Sequence, residues 1–179
     1  RLVDAPDAKT LVGKMHRALL LTLATSGLRI SELVTLKTSQ IKERRQGNRI
    51  GCVLLVMGKT DTEPREAPIG LEACAAIQEW LDARPIESGW AVTSFAGSGN
   101  RVCDRNITEV SAWRTVKLYA KMVGLKSVKP HDFRRFVGTQ LAKSSLNQAQ
   151  KALGHKDIST TVKHYVLEDL EVGLTDDLF

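Results

Sequence analysis

Residues 50–57 read IGCVLLVM, an apolar run rich in β-branched side chains that fits a strand. Residues 58–64 supply turn chemistry, with glycine at the start and proline at the end, and residues 65–69 can return as a second strand. Helical patterning surrounds this hairpin. Residues 7–25 place Leu11, Met15, Leu19, Leu20 and Leu23 on one face, and Gly27 stops the helix. A short helix follows, with Ser31 as its expected cap. Residues 71–83 predict a third helix with Leu71, Cys74, Ala75, Ile77, Trp80 and Leu81 inward and Trp80 in the core. Residues 108–123 predict a fourth, capped by Thr108, and Pro130 can open another because a first helical residue has no amide partner to lose. Residues 87–105, with three glycines around a short strand-like piece, read as a loop-rich connector; their GSGN lacks the ending and following helix of a phosphate loop. The sum is mainly α with a small antiparallel β-sheet, an α+β class.

The chain has 179 residues, 42% of them hydrophobic, enough for one substantial core and short for two. One domain is therefore expected. The net charge of +6 is unevenly spread. Residues 126–165 hold eight Lys and Arg against two Asp, whereas residues 166–179 hold five acids and no base. Such a basic stretch suits a polyanion such as DNA, although solvated helix faces also carry charge. Cys52, Cys74 and Cys103 form no CxxC pair and no evident disulfide framework, which suggests a reducing compartment and no structural zinc. The apolar run at residues 18–24, interrupted by Thr22, is far too short to span a membrane. No signal peptide is visible, and the chain begins at Arg1 without a Met, as a fragment would.

Residues 130–165 carry the chemistry. His131 and Arg134 lie three apart and share a helical face; His155 follows a Leu-Gly pair, and Tyr165 comes ten positions later. Two imidazoles, a guanidinium and a phenol make a poor metal cage and a good phosphate site. Earlier in the chain, Arg29 occupies the junction between two helices, where a turn can aim it into a cleft or leave it solvated. A cleft-facing arginine needs an anionic partner, either Glu32 or a ligand. Lys59 opens the hairpin turn, as an arm over a ligand or as a plain turn lysine. Arg135 and Lys156 read equally as phosphate contacts and as solvated charges, and His16 and His164 as structural or surface residues.

SGLRISEL, then a strand running into GK and a return strand ending in AP, then HDFRR, then LGHKDISTT and a tyrosine together resemble the catalytic domain of the tyrosine recombinases, the phage-integrase family. The resemblance covers residues 8–166. It implies a mostly helical catalytic domain that grips double-stranded DNA alongside an N-terminal core-binding domain, which residues 1–179 would lack. It further implies Arg29, Lys59, His131, Arg134 and His155 as the activating residues and Tyr165 as the nucleophile, with no cofactor and no metal. Glu32 supports Arg29 or the hairpin. His164 stands where the tyrosine of the commonest motif would be, so Tyr165 comes one residue late. The implied activity is cleavage and rejoining of DNA strands through a 3′-phosphotyrosyl intermediate in a homotetrameric synaptic complex, in the cytoplasm on nucleoid DNA. Relaxation of DNA in the manner of a type IB topoisomerase, or DNA binding without catalysis, are the alternatives. The acidic, leucine-bearing tail, residues 166–179, can pack against its own domain or dock on a neighbouring protomer, as C-terminal segments of the family do, and the second is favoured slightly.

Overall fold

The computed structural model describes residues 2–47, 49–58, 62–97 and 101–154. Its centre is helix α1, Leu11–Ser26. Met15, Ala18, Leu19, Leu20, Leu21 and Leu23 are all buried, so the helix is enclosed on most sides rather than on one face. It starts at Leu11, later than the expected residue 7, because the Thr10 hydroxyl caps it by accepting from the Gly13 amide at 3.0 Å. It ends at Gly27 in the left-handed region, φ 66°, as expected.

The short α2, Ile30–Val34, is capped at Arg29 and not at Ser31. The Glu32 carboxylate, one turn on, accepts from the Arg29 amide at 2.8 Å and removes the need for a hydroxyl. Strands β1 (Ile41–Gln46), β2 (Arg49–Val56) and β3 (Arg65–Ile69) form an antiparallel sheet in that order. The expected hairpin is thus present with one strand added. Leu54 pairs with Ile41 on one side and Ala67 on the other, and the inward row of Leu54, Val56, Ala67 and Ile69 is buried.

Helix α3, Leu71–Ala83, packs across α1 and buries Ala73, Ala76, Ile77 and Trp80. Trp80 is fully buried and donates to the Ala91 carbonyl at 3.1 Å. Leu71, expected inward, is 67% exposed, and Ala75 is exposed as well. The buried stripe is set by the small residues that let α3 approach α1. Cys52 of β2 and Cys74 of α3 are joined as a disulfide, with Cα atoms 6.0 Å apart, against the expectation of unpaired cysteines. Their separation of 22 residues has no signature in sequence; the packing of α3 on β2 brings them together. The expected connector holds a second hairpin, β4 (Thr93–Ala96) with β5 (Arg101–Asn106). Helices α4 (Glu109–Met122, capped by Thr108), α5 (Pro130–Ser144) and α6 (Leu146–Leu153) complete the described chain. Among the described residues no helix is long and apolar enough to cross a membrane.

His16 on α1 sits between α1 and α4. Its Nδ1 is 3.0 Å from the Tyr119 hydroxyl and its Nε2 is 3.4 Å from Thr115 Oγ1. Thr115 gives its own proton to the Ser111 carbonyl, so Nε2 carries the ring hydrogen and Nδ1 accepts from Tyr119. Burial pushes the imidazole down from 6.5 to about 4 and the Tyr119 phenol up. Because the folded-state value lies below the unfolded one, the stability of the neutral ring is complete above pH 6.5. It is lost as the pH falls from 6.5 to about 4, where the unfolded chain takes up a proton that the folded chain refuses. Unfolding titrations should lose about 2 kcal/mol over that interval, allowing for the part of the ring that water reaches. A His16→Gln variant should show a flatter profile over the same range, and parallel profiles would remove this assignment.

Candidate active site

Five elements meet around three arginines. Arg134 on α5 is only 2% exposed, and charge without compensation would be costly at that depth. The compensation comes from two helix ends. Nη1 donates to the Gly27 carbonyl at the end of α1, at 2.8 Å, and Nη2 to the Leu153 carbonyl at the end of α6, at 2.7 Å. Both are C-terminal carbonyls, where the helix dipole is negative and no intrahelical amide is available. A planar guanidinium can span two such acceptors, whereas an ammonium cannot hold that geometry.

Arg29 lies two residues past Gly27. Its guanidinium donates through Nη1 to Glu32 Oε1 at 2.9 Å, and the side chain is 49% exposed. Glu32 is 6% exposed and turns its second oxygen to Arg65 Nη2, at 2.8 Å. Arg65 opens β3 and closes the circuit. A Cβ placed on Gly154 would stand 2.3 Å from Arg65 Nε and 2.4 Å from its Cδ, so any other residue would have to displace the arginine. Gly154 ends α6 with φ 68°. The contacts run from Gly27 through Arg134, Leu153, Gly154, Arg65 and Glu32 to Arg29.

The structure thus gathers Arg29, Glu32 and Arg134. His131 is exposed on the first turn of α5, one turn before Arg134. That helix begins at Pro130, where the Asp132 carboxylate accepts from the Lys129 amide at 2.7 Å. Arg135 is exposed, pointing away from its buried neighbour Arg134. Lys59, His155, Lys156 and Tyr165 lie outside the described residues, as do His164 and the tail. Tyr119, the other tyrosine, engages His16. Sequence reasoning missed Arg65, although an arginine opening the return strand of the hairpin was in plain view. Among the described residues, no three His, Cys, Asp or Glu side chains are grouped so as to hold a metal ion.

A site of this shape presents one half-exposed guanidinium, fixed by a buried carboxylate, beside a second that is locked between helix ends. Arginine forks of this kind match the oxygens of a phosphate.

Known proteins place the chain. It is 33% identical over 165 residues to tyrosine recombinase XerC of Pelobacter propionicus, covering 91% of this chain and 51% of that protein. Tyrosine recombinase XerD of Pseudomonas putida is 34% identical over 171 residues, covering 89% of this chain and 52% of the relative. The chain therefore spans about half the length of the curated relatives it matches. A solved structure of XerH site-specific recombinase bound to its difH substrate superposes with a TM-score of 0.72 at 19% identity, covering 99% of this chain and 49% of that one, which shows a shared fold. The model of the phage integrase family matches residues 1–171, and with the relatives above it shows that the chain belongs to that family.

Proposed function

We propose that this chain is the catalytic domain of a site-specific DNA recombinase that breaks and rejoins strands through a tyrosyl–phosphate bond. The observation that carries this reading is the circuit of contacts joining Arg29 to Arg134, with α6 ending at Gly154, the residue before His155. A DNA phosphodiester repels nucleophiles, and attack piles further charge on its non-bridging oxygens. Fixed cations aimed at that charge lower the barrier. Arg29 is the exposed fork for those oxygens, and Arg134 anchors the pocket and adds its field. His131 and His155 donate further hydrogen bonds, and one of them takes the phenol proton, since a tyrosine with its ordinary pKa of about 10 is a weak nucleophile near neutrality.

Tyr165 then attacks phosphorus. Its oxygen forms the new ester, the bond to the 5′ oxygen breaks, and Lys59 supplies the proton that makes the 5′ hydroxyl. The 3′-phosphotyrosyl bond conserves the ester energy, and a hydroxyl from another DNA end reverses the step without a cofactor. The positive charge is supplied by the protein's own side chains. Double-stranded DNA is the partner, held in part by Arg135 and Lys156, and four copies make up the synaptic complex. In that complex residues 166–179 reach a neighbouring protomer.

A nicked suicide substrate tests this directly. The full-length protein should give a covalent adduct on a denaturing gel, and Tyr165→Phe should give none while still binding DNA. An adduct that survives the substitution would assign the nucleophile elsewhere. Binding should weaken steeply with salt as phosphate contacts release counterions, and a flat salt response would speak against DNA. Joining of strands from two different sites separates recombination from simple relaxation.

A further inference from the structure

We propose that Arg65 is a positioning residue for the reaction, setting Arg29 through Glu32 and setting the end of α6 through Gly154. The proposal rests on the functional reading above. Arg65 touches two parts of the site at once. Its Nη2 holds Glu32 Oε2 at 2.8 Å, and its Nε and Cδ lie so close to Gly154 that a β-carbon there would have to displace them. Glu32 in turn holds Arg29 twice, by the backbone amide at 2.8 Å and by the guanidinium at 2.9 Å. Arg65 is 11% exposed and Glu32 6%, so neither is a surface charge answering to solvent.

A buried ion pair is a weak device for stability, since desolvating both ions cancels much of their attraction and a well-packed apolar pair often serves as well. What the arginine adds is direction. Glu32 takes three donors on two oxygens, the Arg29 amide and Arg65 on Oε2 and the Arg29 guanidinium on Oε1, and together they fix the carboxylate plane. The Arg29 guanidinium bonded to Oε1 then inherits a fixed orientation. The far side of Arg65 buttresses Gly154, the left-handed residue that ends α6, so a single side chain ties the Arg29–Glu32 pair to the end of that helix. Misplacement by about 1 Å at such a site can cost about a hundredfold in rate.

The experiment uses the full-length protein and a suicide substrate at saturating concentration, so that single-turnover cleavage is read apart from DNA affinity. Arg65→Met should slow cleavage at least thirtyfold while Kd changes less than threefold. Arg65→Lys keeps charge beside Glu32 and decides the matter if the methionine variant does not fold; it should slow cleavage about tenfold with Kd likewise held. The coupling is read in a double-mutant cycle with Glu32→Gln, where the double variant should cleave no more slowly than the slower single one. Multiplying losses would show that Arg65 does not act through Glu32. A folded Arg65→Met or Arg65→Lys that cleaves within threefold of wild type overturns the proposal. Absence of any adduct with wild type would instead overturn the functional reading beneath it.

Discussion

Arg134→Met should lower the unfolding free energy by about 2–4 kcal/mol, the usual result of leaving two buried carbonyls without their donors. The methionine matches much of the stem, so little of the loss is cavity. Most of it comes from the Gly27 and Leu153 carbonyls, which lose their 2.8 and 2.7 Å donors at a depth that water does not easily reach. Arg134→Lys should recover only part, because one ammonium on a shorter stem cannot span both acceptors. Urea unfolding followed by circular dichroism measures both variants, and a loss below about 1 kcal/mol for methionine would mean that the two helix ends do not depend on the guanidinium. Cleavage of a suicide substrate should fall by at least a thousandfold in either variant, even below the temperature at which the protein melts.

Glu32→Ala is the second substitution with a large effect. Glu32 is the acceptor for the Arg29 amide, the Arg29 guanidinium and the Arg65 guanidinium, so its removal takes a cap from α2 and a counter-charge from a nearly buried arginine. The expected cost is about 3–4 kcal/mol, most of it from the desolvated Arg65 charge. Glu32→Gln keeps a carbonyl oxygen and should cost about half as much. Because Arg29 remains half exposed and keeps its charge, DNA affinity should change little in the glutamine variant, while the cleavage rate drops by about a hundredfold. Equal losses of affinity and rate would show that Glu32 serves binding and not orientation.

Several parts of this fold are written plainly in the residues. Periodicity marks α1, the β-branched run marks β2, and Thr108, Gly27 and Pro130 mark helix ends for local steric and hydrogen-bonding reasons, whereas Val110, Trp113, Leu118 and Met122, the apolar residues read for α4, are exposed. Strand β1, with the sequence IKERRQ, escapes notice because its charged residues leave no apolar alternation to read. The second hairpin is obscured by Gly97 and Gly99, and the inward face of α3 by small alanines that are buried in place of larger neighbours. For the site, the helix that carries His131 and Arg134 was legible, and the expectation that Arg29 and Arg134 belong together came from resemblance. Nothing local says that Arg134 would be buried between two helix ends, or that Arg65 would share a carboxylate with Arg29. Those are long-range facts, set by how α5 packs against α1 and α6 and how β3 meets α6.

The Arg134 guanidinium reaches back 107 residues to Gly27 and forward 19 to Leu153. During synthesis the amino-terminal helices emerge first, yet the clamp that completes their corner is carried by a much later segment. A nascent or truncated polypeptide ending before Leu153 holds Arg29 on an unfinished scaffold, so the corner that carries Arg29 is completed only when nearly the whole described chain has been released.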